Sequence, residues 1–90
     1  MSEAELRIEC QTNPKGWICH VTVNEGGSQT QHDVLISEGD LTRYGMTDMS
    51  VVALVREAFS FLLEREPKES ILQRFALSDI ERYFPEFGRR

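Results

Sequence analysis

Thiol, imidazole and carboxylate chemistry concentrates in a few residues of this chain: Cys10 and Cys19, His20 and His32, and the acids Glu9 and Asp33. If Cys10 and Cys19 face each other across two strands, three readings stand: a cross-strand disulfide, two small buried apolar residues kept reduced, or part of a metal site. A metal would recruit His32 as third ligand. No fourth ligand is evident, and the sequence has neither CxxC nor HxxxH spacing, so no metal or cofactor is expected. His20 has a different setting. Placed between Glu9 and Asp33 it forms an acid–imidazole–acid row, in which opposite charges favour the imidazolium. Such a row can orient a general base. Catalysis would also need a nucleophile or an oxyanion site in a concave pocket, and the neighbouring residues Arg7, Gln11, Thr22, Asn24 and Gln31 suggest a flat polar surface. An exposed charge pairing is the expected role of Glu9, His20 and Asp33, and an enzymatic function is disfavoured.

These residues are positioned by alternation. Leu6, Ile8 and Cys10 share one parity, and Trp17, Cys19, Val21 and Val23 share another, the pattern of half-buried strands. Asn13-Pro14-Lys15-Gly16 marks a turn, with Pro14 presetting φ and Gly16 free to take a positive φ. Gly26-Gly27 suits a two-residue hairpin loop before a third run, Ser28 to Ser37. Pairing Thr12 with Trp17 sets Cys10 against Cys19, Ile8 against Val21 and Leu6 against Val23. Pairing Glu25 with Ser28 sets Trp17 against Ile36, Cys19 against Val34 and Val21 against His32, so the apolar residues collect on one face. A type I turn with a glycine bulge would shift the first pairing and bring Glu9 against Val21; the hydrophobic register is preferred.

From about Thr47 to Glu66 the period becomes helical, with Val51, Val52, Val55, Ala58, Phe59, Leu62 and Leu63 in one stripe. Thr47 or Asp48 is the expected N-cap, and Pro67 stops the helix. Leu54 and Phe61 project away from the stripe, which implies a second packing layer. Ile71, Leu72, Phe75 and Leu77 can supply it, followed by a short helix from about Ser78 to Phe84, where Ser78 and Glu81 have capping-box spacing. Residues 38 to 46, with Gly39 and Gly45, read as a loop. The expected fold class is α+β: a three-stranded antiparallel meander followed by one long helix and one or two short C-terminal helices, as a single domain over 1–90.

Charge narrows the partners. The net charge is -5. Residues 1 to 40 hold two basic side chains (Arg7, Lys15) against seven acidic ones, whereas the remainder is balanced at eight against eight. Counterion displacement from phosphate needs a positive face, so nucleic acid is disfavoured. The longest apolar run, Val51 to Val55, is too short for a bilayer, so no membrane association is expected. The opening Ser2, Glu3, Ala4 and Glu5 lack the basic-then-apolar pattern of a secretory leader, which makes the cytoplasm the expected compartment.

The stretch Phe61-Leu-Leu-Glu-Arg-Glu-Pro-Lys-Glu-Ser-Ile-Leu-Gln-Arg-Phe75, followed by Leu77-Ser-Asp-Ile-Glu-Arg-Tyr-Phe-Pro-Glu-Phe87, resembles a group of short uncharacterised bacterial proteins. The resemblance covers roughly the last thirty residues closely and the strands only in outline. It implies a bacterial cytoplasmic origin and brings no activity, ligand or catalytic residue. In element order alone the chain is similar to HicB-type antitoxins, without the glycine and proline signatures those carry after the third strand. The function these readings favour is a non-enzymatic protein–protein interaction module, with a small-ligand-binding protein or enzyme using the sheet–helix edge as the alternative. Two surfaces are candidates. One is the third strand, with Gln31 mid-strand and Ile18 and Leu35 as an apolar pair on the outer face, open to self-association or another partner by edge pairing. The first edge is blunted by the charges of Glu3, Glu5, Arg7 and Glu9. The other surface is the aromatic tail, Tyr83, Phe84 and Phe87.

Overall fold

A computed structural model describes residues 4–44 and 50–89. Strands β1 (Glu5–Asn13), β2 (Gly16–Glu25) and β3 (Ser28–Ser37) form the antiparallel meander. Its register is the hydrophobic one: Cys10 opposite Cys19, Ile8 opposite Val21, Trp17 opposite Ile36 and Cys19 opposite Val34. The glycine-bulge alternative is absent, because the turn is tighter and the ladder continues to Asn13 opposite Gly16. Gly16 has φ +146°, and a Cβ there would collide with the Ile36 carbonyl oxygen, so the third strand requires a glycine at this crossing. Core parity buries Cys19, Val21, Val23, Val34 and Ile36, while the opposite face is polar apart from the Ile18 and Leu35 pair.

Beyond the meander three expectations change. The sheet has a fourth strand, β4 (Arg74–Ala76), parallel to β3 with Val34 opposite Phe75. Residues 38–44, expected as loop, form helix α1 (Glu38–Tyr44). Its start is a reciprocal cap: the Asp40 N–H donates to Ser37 Oγ at 3.0 Å and the Ser37 N–H to Asp40 Oδ2 at 3.2 Å, which outweighs the low helix propensity of Gly39. The Cys10–Cys19 pair is a disulfide rather than two reduced apolar side chains. The register brings their Cα atoms to 4.0 Å, within reach of a bridge, and neither sulfur remains for a metal.

The long helix, α2, runs Val51–Leu63. Ser50 caps it, its Oγ accepting from the Ala53 N–H at 3.1 Å; Thr47, Asp48 and Gly45 lie outside the described residues. Val55, Ala58, Phe59 and Leu62 are buried as the stripe requires, but Val52 is exposed, lying at the stripe's border. Leu54 and Phe61 are buried as well, so the second layer exists. Phe61 packs edge-on against Phe87, centroids 5.2 Å apart, and Arg65 stacks over the Phe61 ring 3.6 Å from its centroid. The tail helix, α3, is Asp79–Tyr83, shorter than expected at both ends, and Pro85–Arg89 is a 3-10 turn. The Ser78–Glu81 box does not form: Ser78 makes no capping bond, and Glu81 instead accepts from Arg43 and Tyr44 of α1.

Candidate interaction surface

The chain after α2 folds on contacts with distant residues. A 3-10 turn, Lys68–Ser70, follows Pro67 and leads into buried Ile71. His32, buried on the core face of β3, donates from Nδ1 to the Leu72 carbonyl at 2.7 Å; its Nε2 then accepts from the Thr30 hydroxyl at 2.8 Å. A carbonyl only accepts, so the proton belongs on Nδ1. This bond fixes the backbone at Leu72, and the Asp33 N–H bond to Gln73 O, 2.7 Å, starts β4. Asp79 closes the following turn by accepting from the Ala76 N–H at 3.1 Å.

These anchors leave an open groove of about 370 Å³ between the C-terminal end of α2 and α3. Leu62, Ile71, Phe75 and Ile80 form its floor, and all four are buried. Leu72 and Tyr83 stand on its rim with 53% and 68% of their surfaces exposed, the most exposed large apolar side chains among the described residues. Its polar groups are Glu66, Ser70, Asp79 and the Tyr83 hydroxyl. Among the described residues the Glu66 carboxylate has no ion pair. Lys68, close in sequence, is buried and bonded to Glu69 at 2.7 Å. That bond is the first cause holding the Glu69 carboxyl below the usual carboxylate range. Arg82 reaches Asp79 only at 3.7 Å. The groove therefore offers apolar surface bordered by acceptors. Ser70 and Tyr83 are its hydroxyls, and neither hydrogen-bonds to a base among the described residues.

The aromatic tail divides. Phe87 is a core residue, Phe84 is half-buried against Phe61 with centroids 6.0 Å apart, and Tyr83 alone is well exposed. The third-strand surface is also divided. Ile18 and Leu35 do face each other on the outer side, both half-buried, but the Leu35 carbonyl already accepts from the Leu77 N–H at 2.9 Å. β4 covers Asp33 to Leu35 and leaves Gln31 beyond it. Edge pairing along the whole of β3 is thereby excluded, because one row of main-chain groups cannot serve two strands. The outer charge row has the expected order, Glu9 opposite His20 opposite Asp33, with His20 Nδ1 2.7 Å from Asp33 Oδ1 and both side chains solvated. It lies on the uncovered sheet face, away from the groove. A second depression, larger at about 510 Å³, lies at the turn end of the sheet beside Trp17, Lys15 and Asp40.

Among the described residues no group of three or more His, Cys, Asp or Glu side chains could hold a metal ion, and no helix is long and apolar enough to cross a membrane. Sequence reasoning missed Glu66 and Leu72 as parts of one site, and His32 as the residue that fixes the Leu72 backbone. The Leu72 signal was present: an apolar residue beside Ile71 cannot share its burial in an extended segment. No family model matches the chain, and no curated protein or solved structure matches it.

Proposed function

We propose that this chain is a non-enzymatic protein–protein interaction module, working in a bacterial cytoplasm, that receives apolar side chains of a partner in the groove between α2 and α3. The observation that carries the reading is the pairing of an apolar floor with Leu72 and Tyr83, exposed on the rim. The partner that fits is an amphipathic helix: leucine-like residues one turn apart for the floor, and a lysine or arginine for Glu66 and Asp79. The groove lacks an activated nucleophile, which weighs against catalysis. Net negative charge weighs against nucleic acid. The Cys10–Cys19 disulfide bears against a reducing compartment, so counting free thiols in protein isolated under alkylating conditions tests the cytoplasmic part of this reading.

The groove volume favours one second reading, a small apolar ligand, since such sites begin near ~300 Å³. A single titration separates the two. Amide NMR of the labelled chain is followed on adding a short helical peptide with leucines at i and i+4 flanked by lysines, a glutamate-flanked version of it, and a set of uncharged apolar fragments. Shifts at Leu72, Tyr83 and Phe84 with the lysine peptide, lost in Tyr83→Ser, support the module. Shifts with the fragments and none with either peptide would replace it by the ligand reading.

A further inference from the structure

We propose that two copies of this chain pair through the outer edge of β1, in an antiparallel register centred on Ile8. This surface lies apart from the α2–α3 groove and needs no occupant there.

β1 is the longer of the two edge strands, nine residues against three in β4, and among the described residues nothing pairs with its free side. Which main-chain groups face outward follows from the bonds already described. The Asp33 N–H bonds to Gln73 O, so Asp33 directs its main chain toward β4 and away from β2. In an antiparallel ladder this makes His20–Asp33 a non-hydrogen-bonded pair, turns the His20 main chain toward β1, and makes Glu9–His20 a hydrogen-bonded pair. Alternation then points the N–H and C=O groups of Leu6, Ile8 and Cys10 out of the sheet. The Cys10–Cys19 Cα separation of 4.0 Å agrees, since non-hydrogen-bonded pairs are the narrow ones.

The side chains select the register. Opposed residues point to the same face, so the exposed outer-face set Glu5, Arg7, Glu9 and Gln11 must meet itself. Centred on Ile8, Arg7 of each copy lies opposite Glu9 of the other, twice by symmetry, and Glu5 lies opposite Gln11. On the other face Ile8 meets Ile8 and Leu6 meets Cys10, extending the apolar surface where β1 is only half-buried. A centre on Arg7 opposes Arg7 to Arg7 and Glu5 to Glu9; a centre on Glu9 opposes Glu9 to Glu9; a centre on Leu6 shortens the paired stretch to Glu5 through Arg7. Charges that blunt this edge against most strands are complementary to the edge itself when it is centred on Ile8, and the other complementary pairing, Glu5 with Arg7 about Leu6, spans too few residues to compete. Such an isologous contact closes on two copies and joins the two sheets into one.

The test is sedimentation velocity over a concentration series for the full chain, with far-ultraviolet circular dichroism confirming the fold of each variant. The wild type is expected to dimerise. Arg7→Glu and Glu9→Arg each turn two attractive cross-copy pairs into repulsive ones and weaken the dimer by about tenfold or more. The double variant, which restores opposite charges with the signs exchanged, recovers it. Tyr83→Ser leaves it unchanged. A monomeric wild type at every concentration, single variants that dimerise as well as wild type, or a double variant that fails to recover would each overturn the proposal. Loss of the dimer in Tyr83→Ser would also overturn it, moving self-association to the groove.

Discussion

Residues 5–37 and residues 64–89 are stabilised in different ways. In the first region neighbours in space are neighbours in sequence: two short turns bring the strands together, and one disulfide joins β1 to β2. In the second, no element exceeds five residues, and apart from the local turn at Lys68–Ser70 they are fixed by partners far along the chain: β4 by β3, Leu72 by His32, α3 by Tyr44 and Arg43, Phe87 by Phe61. Local pairing makes a region self-sufficient in register. Dependence on remote partners makes the other region a readout of whether the rest has folded, and the candidate groove lies in it.

Phe59 is where the two regions meet, in ring contact with His32 at 5.4 Å and with Phe75 at 6.1 Å, and fully buried. Phe59→Ala is expected to cost about 3–5 kcal/mol, measured by urea unfolding, and to lower both regions in one transition. Two separate transitions would show that the regions are less coupled than their shared core implies. Reducing the Cys10–Cys19 disulfide is expected to cost about 2.5 kcal/mol from the freed loop entropy. Amide exchange should then quicken in β1 and β2 before it does in β4.

The reverse pattern is expected from His32→Leu, which leaves the Leu72 carbonyl without its donor, a loss of about 1–3 kcal/mol. Exchange should rise at Gln73 to Ala76 while the first hairpin keeps its protection. The smallest effect expected is for Tyr44→Phe, about 1 kcal/mol, through loss of the hydroxyl bond to Glu81. This site has a pH signature. Burial first, and the Glu81 bond next, raise the Tyr44 hydroxyl above its ordinary pKa of 10.0. The folded state thus favours the protonated form, so the stabilisation is full below the ordinary value and fades as pH rises through the raised one. Alkaline titration of stability should show this decline in the wild type and lack it in Tyr44→Phe.

How far each region is legible in sequence follows the same division. Period-two alternation with Pro14-Lys15 and Gly26-Gly27 determines every pairing of the meander, down to Glu9, His20 and Asp33 in one row. β4 is three residues long, too short to alternate, and its partner is specified by a crossover instead of a turn. The capping pattern is present twice, at Ser37–Asp40 and at Ser78–Glu81, and only the first forms. Glu81 is drawn away by Arg43, which reaches both its oxygens at 2.9 Å. The facing of Cys10 and Cys19 is legible, but whether facing thiols are oxidised depends on surroundings that a sequence does not encode. The groove is least legible, since Glu66, Leu72 and Tyr83 come together only after β4 and α3 have docked.

The parallel placement of β4 has a consequence for how the protein is made. A chain emerging from the ribosome can close the β1–β2 and β2–β3 hairpins as soon as Ser37 is clear, because nothing in the meander waits for later residues. β4 lies some 40 residues further on, with both helices between, so for that interval of synthesis the nascent sheet has a second bare flank from Asp33 to Leu35. The segment that completes the groove is also the segment that seals this flank. A chain interrupted before Arg74 would lose the candidate groove and acquire an adhesive edge at the same time.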